Sequence, residues 1–178
     1  MKPTFKLVAF AFVLFATISC NQGKDPEAAK KEAEKMALEN KMLENNKTMF
    51  KAWNEGNPGL LDDITVENFT RYQNGELTGS DRASYAELMK TFQTALPDIN
   101  FTYDIVVEGN KTYTKWSATG TATGMFGDIN PTNEISKTHG FTILTFNEDG
   151  LATAEEAYMD PLTYLKPWGY TMVPPPSE

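Results

Sequence analysis

The chain changes its hydrophobic period at Pro97, and few folds allow that order. Ahead of it, apolar residues return at helical spacing. Met36, Leu43 and Phe50 fall seven apart and are joined by Met42, Met49 and Trp53; Tyr85, Leu88, Met89 and Phe92 form a second such stripe. Behind it, β-branched and aromatic residues run in short segments separated by Gly-Asn and Asn-Glu-Asp-Gly turns. Helices first and antiparallel strands after imply an α+β domain with its helices gathered on one face of a sheet.

The punctuation sets the elements. "NEGNPG" (54–59) stops the first helix, and "LLDDITVENF" reads as a second short helix from Leu60 to about Asn68. Ser80 or Asp81 caps a third helix that Pro97 ends. Two hairpins follow, turning at Gly109–Asn110 and at "NEDG" (147–150). The stretch "KWSATGTATGMFG" (115–127) carries glycines that could cradle a phosphate. A phosphate loop, however, joins a strand to a helix and places its Lys after the glycines. Here Lys115 comes first and Pro131 lies in the segment that follows, so the stretch reads as a strand running into a turn.

At the N-terminus, Lys2 and Lys6 precede the apolar run "LVAFAFVLFATI" (7–18). Twelve residues are too few for a bilayer span, which takes about 20, but they suit the core of a secretory signal. The run ends at Ser19 before Cys20, the chain's one cysteine. An ordinary cleaved signal and a lipoprotein signal both fit, and the placement of that cysteine favours lipidation of Cys20. The expected plan is a signal peptide over 1–19, a polar stalk over 20–35, a folded domain over 36–165 and an irregular tail over 166–178. The acidic balance, 24 Asp and Glu against 16 Lys and Arg, argues against a nucleic-acid partner. Losing residues 1–19 removes two lysines and leaves the mature chain near −10. Such a body on a lipid anchor stands off anionic headgroups, and Asn21 after the cysteine favours the outer membrane of a bacterial envelope.

"FKAWNEGNPGLLDDITVENFT" (50–70), "MKTFQTALPDINFTYDIVVEGNKTYTKWSATGTATGMFGDINPT" (89–132) and "HGFTILTFNEDGLATAEEAYMDPLTYL" (139–165) resemble, in that order, the SnoaL-like branch of the nuclear-transport-factor-two-like superfamily. The resemblance covers about residues 41–165. It implies a cone-shaped roll: three N-terminal helices on a curved antiparallel sheet, an internal pocket at the wide end, and often a homodimer formed through the sheet. Characterised members include polyketide cyclases that use one acidic residue as acid and base, with no metal or cofactor. The other reading of such a pocket is a binding site for a small, partly apolar molecule.

Candidate site residues follow. Glu155 and Glu156 lie where the cyclases place their acid/base carboxylate, and neighbouring strand residues face opposite ways, so at most one enters the pocket. Glu156 shares its face with Tyr158, an aromatic pocket wall, and is preferred on that ground. His139, the chain's one imidazole, could polarise a ligand carbonyl or shuttle a proton. Trp53, Tyr72, Trp116, Phe126 and Tyr158 are expected to contact the ligand. Asp160, followed by Pro161, reads as the N-cap of a short helix.

Overall fold

The computed structural model describes residues 25–174, so Cys20 and the signal segment lie outside the described residues. Helix α1 (Pro26–Glu55) begins where Asp25 accepts a hydrogen bond from the Glu27 N–H at 3.0 Å. Its first turns are exposed and carry i,i+4 pairs such as Lys31–Glu27 and Lys30–Glu34, which support an isolated helix. From Met42 onward one face buries Met42, Asn46, Met49 and Trp53. The polar segment and the first domain helix are therefore one continuous rod of about 45 Å at 1.5 Å per residue.

The segment read as a second helix is built differently. A 3-10 turn (Pro58–Asp63) gives way to strand β1 (Thr65–Gln73), which pairs with β2 (Glu76–Gly79). The β-branched run Ile64, Thr65 and Val66 and the alternation of buried Phe69 and Arg71 suit a pleated surface better than a helix. Asn74 and Gly75, with φ of 51° and 90°, form the two-residue turn that hairpins favour.

Helix α2 (Arg82–Ala95) starts in a reciprocal cap: Asp81 accepts from the Ser84 N–H at 2.7 Å, and the Ser84 hydroxyl accepts from the Asp81 N–H. The sheet continues with β3 (Asn100–Glu108), β4 (Lys111–Thr121), β5 (Ile135–Phe146) and β6 (Ala152–Met159), in the spatial order β2-β1-β6-β5-β4-β3. The two hairpins turn where the sequence marks them. One pairing departs from the antiparallel expectation: β1 runs parallel to β6. No hairpin joins these two strands; most of the domain intervenes, and that connection leaves either direction open. Register shifts in the β1–β2, β1–β6 and β5–β6 pairs help to bend the sheet.

The glycines of 115–127 have a packing role. β4 ends at Thr121, and the Gly124 N–H donates to the Ala95 carbonyl at 3.1 Å. A side chain at Gly124 would overlap the Thr94 carbonyl, so the loop closes directly onto the end of α2. Asp160 accepts from the Leu162 N–H at 2.9 Å and caps α3 (Pro161–Leu165). The start of the tail is ordered as well: a 3-10 turn over Lys166–Trp168 buries Trp168, whose ring lies 5.0 Å from that of Phe126.

The main core joins α1, α2, β1 and β5 through Met42, Met49, Phe69, Tyr85, Met89 and Leu144. Phe69 is fully buried, with its ring 5.3 Å from Tyr85. Phe69→Ala is expected to cost about 3–5 kcal/mol, read as a lower urea midpoint at unchanged slope. A cost near zero would place β1 outside the cooperative fold.

Candidate functional site

Between the helices and the inner face of the sheet lies a cavity. Its lining follows β5 from Ser136 to Leu144, about 26 Å at 3.3 Å per residue. The void, mouth included, is about 760 Å³. It is a channel more than a chamber. Apolar side chains make most of its walls, with the rings of Phe50, Trp53, Phe92, Phe101 and Trp116 prominent among them. At the Ser136 end of the lining, Thr138 and Tyr164 keep part of their surface exposed and border the mouth. Tyr164 leans edge-on to Phe92 at 5.5 Å, and Thr163 shares a 2.6 Å hydrogen bond with Thr138.

The deep end is polar. Arg71 of β1 donates from Nε to Glu155 Oε2 at 2.9 Å, with both side chains less than a tenth exposed. The parallel register sets Arg71 beside Glu155 on β6, and both point inward. Arg71 Nη1 also donates to Thr78 Oγ1 at 2.8 Å and to Gln73 Oε1 at 3.1 Å, which fixes the guanidinium. The Tyr85 hydroxyl accepts from Trp53 Nε1 at 3.0 Å. Burial lifts the Glu155 carboxyl above the ordinary range, while the Arg71 charge and hydrogen bonds from Tyr85 and Arg71 hold it back. Burial first, and the Glu155 charge second, raise the Tyr85 phenol well above its usual value, so it stays protonated. On the facing wall, Asn46 Nδ2 donates to Thr112 Oγ1 and Thr114 Oγ1, each at 2.7 Å, and Trp116 Nε1 donates to Thr142 Oγ1 at 3.0 Å. A carboxyl, a guanidinium and a phenol thus stand together on one wall of the channel, which the amide of Asn46 also lines. They can hold a polar group of a ligand, and the carboxyl can exchange a proton with it.

The sequence-predicted residues divide between the two faces of the sheet. Glu155 is in the cavity. Glu156, the preferred glutamate, is on the outer face, where it accepts from the Tyr158 hydroxyl at 3.0 Å and lies 3.9 Å from Lys111. Its aromatic companion is therefore a neighbour on the outside and not a pocket wall. His139 also points outward, paired in register with Ser117 of β4. Trp53 and Trp116 line the channel. Tyr72 and Tyr158 stand on the outer face and are exposed. Phe126 lies behind the mouth, 5.6 Å from Phe92. Three inward polar residues escape a reading by residue type: Arg71, Tyr85 and Asn46. Among the described residues, no three His, Cys, Asp or Glu side chains come together as a metal ion would need.

Removing either partner of the ion pair strands the other charge in a low dielectric. Arg71→Met and Glu155→Leu are each expected to cost about 3–5 kcal/mol, and the double variant less than the sum. The pH dependence has a definite sign. A carboxyl raised in the folded chain above its ordinary 4.5 contributes stability that is fully present below 4.5. That contribution is lost as the pH climbs through the raised value. Over that climb the native chain should lose stability relative to the double variant, measured by denaturant titration at successive pH values. A difference that grows with pH would reverse the assignment.

Comparison with known proteins adds the lineage. A sequence model for the SnoaL-like polyketide cyclase family matches residues 45–166. Among solved structures, a candidate SnoaL-like polyketide cyclase from Jannaschia sp. CCS1 superposes with a TM-score of 0.67 at 14% identity, covering 76% of this chain and 96% of that one. AclR, a candidate hydroxylase from Streptomyces galilaeus, gives 0.64 at 22% identity over 75% and 86%. IdmH, a candidate polyketide cyclase from Streptomyces antibioticus, gives 0.62 at 20% over 72% and 99%. At these identities the likeness is one of fold. Among curated proteins, none is a significant sequence match.

Proposed function

The chain belongs to the SnoaL-like polyketide cyclase family, and on that premise we propose that its domain binds a small, slender, partly apolar molecule in the aromatic channel. The apolar body of the ligand packs between Trp53, Phe101 and Trp116, and a polar tip meets the deep end. The observation that carries this reading is the buried Arg71–Glu155 pair on the wall of an apolar cavity. A channel of this width suits a chain or a single flat ring better than a fused-ring system.

A second reading has its own support, since the carboxyl lifted by burial stands beside a protonated phenol. In this reading Glu155 takes a proton alpha to a ligand carbonyl and returns it elsewhere, with Tyr85 holding the oxygen. No cofactor is needed for that step.

One set of measurements separates the readings. Titration with 1-pentanol should quench the fluorescence of Trp53 and Trp116, and Ala118→Leu, which fills the channel wall, should weaken the affinity about tenfold or more. Exchange of the alpha protons of 2-pentanone in deuterated water, followed by NMR, reports proton transfer. Under the second reading Glu155→Gln, which keeps an oxygen to accept from Arg71, should abolish the exchange while 2-pentanone still perturbs the tryptophan fluorescence of the native chain. Binding without any exchange leaves the first reading standing alone; no binding in the native chain removes both.

The proposal also places the domain on a lipid anchor at Cys20, in a bacterial cell envelope and at the outer membrane. It rests on the apolar run over 7–18 and the small residue before the cysteine. Cells fed labelled palmitate should incorporate it into this chain and not into Cys20→Ala. Equal labelling of the two would remove the anchor.

A further inference from the structure

Asn46 stands in the middle of an otherwise apolar helix face, between Met42 and Met49 on the side that turns to the sheet. Its side chain is fully buried and forms part of the channel lining. One end of its amide is engaged: Nδ2 donates to the hydroxyls of Thr112 and Thr114, both at 2.7 Å. The other end is not, because Oδ1 is buried and has no hydrogen-bond partner among the described residues. An unmatched buried acceptor is costly, and packed interiors rarely keep one without a use. Resting on the binding reading given above, we propose that Asn46 is the specificity-determining residue of the channel, and that its free amide end receives a hydroxyl carried at the tip of an apolar ligand.

The chemistry of the amide selects that group. As placed, the free atom is an acceptor and requires a donor. Turned about its last bond, the amide would accept from the two threonine hydroxyls and offer its N–H groups instead. A hydroxyl both donates and accepts, so it satisfies either orientation; a halide, a methyl or an ether satisfies at most one. The ligand class is therefore a slender alcohol. Its hydroxyl sits at the deep end, where Asn46 and the Arg71–Glu155 pair both line the channel, and its chain runs toward the mouth by Tyr164.

The test uses 1-pentanol and 1-chloropentane, which are close in shape and differ in the hydroxyl. The readouts are tryptophan fluorescence and 1H–15N spectra of the described domain within the full chain. In Asn46→Leu, which keeps the branched outline of the side chain and removes its polar atoms, the affinity ratio of alcohol to chloride is expected to fall about tenfold, with chloride binding retained. In the unmutated protein, the Asn46 side-chain amide resonances are expected to move on addition of 1-pentanol and to stay in place with 1-chloropentane. This second readout decides the matter even if Asn46→Leu does not fold. Equal ratios in the two proteins, or amide resonances indifferent to the alcohol, overturn the proposal while the channel remains a binding site. Failure of both probes to bind overturns the binding reading and the subsite with it.

Discussion

The parallel pairing of β1 with β6 is the constraint on which the rest of the molecule turns. It joins the first strand to the last and places Arg71 beside Glu155. Neither group tolerates burial alone, since an isolated charge in a low dielectric is among the most expensive things a protein can bury. The sheet therefore closes in this order far more readily with both present than with one alone. Once closed, the pair marks the deep end of the channel, and the flanking antiparallel hairpins supply its walls.

The same closure explains why the channel stays open. A core of this size normally packs to crystal density, and the aromatic residues of α1, α2 and β3 are large enough to fill it. Yet rigid rings at fixed crossings do not interdigitate like aliphatic chains. Phe50 stacks on Tyr103 at 4.4 Å, while Trp53 meets Phe92, Phe101 and Tyr85 at steep angles and distances of 5.5–6.2 Å. Hydrogen bonds then fix both indoles, Trp53 on the Tyr85 hydroxyl and Trp116 on Thr142. A tethered indole cannot swing inward to collapse the void. The polar partners thus keep the space open as well as marking its end.

Much of this was legible in the sequence. The change of period at Pro97, the two marked turns and the caps at Asp81 and Asp160 all correspond to structure, because each is a local signal with a local cause. β1 was not read, although Asn74-Gly75 announced a two-residue hairpin between it and β2. The acidic pair Asp62 and Asp63 and the preceding leucines resembled a short helix strongly enough to mask it. That single misreading hid Arg71, since a residue on an unrecognised strand has no face. Asn46 carried a visible signal, a polar side chain at helical spacing among methionines and a tryptophan. The parallel pairing had none, because which distant strands meet depends on the closure of the whole sheet.

The choice between Glu155 and Glu156 shows how far one residue of register reaches. From Glu155 onward strand β6 alternates, so the carboxylate that meets Arg71 and the one that meets Tyr158 belong to different environments one position apart. Chemical plausibility favoured the glutamate with an aromatic neighbour, but on a strand an aromatic can as readily mark the outer face. The inner parity is set instead by Leu144, which pairs with Glu155 and is fully packed in the core. Because β5 cannot turn Leu144 outward without emptying that core, Glu155 has no freedom to leave the channel. The large apolar partner across the strand, and not the neighbour along it, determines which carboxylate a ligand can reach.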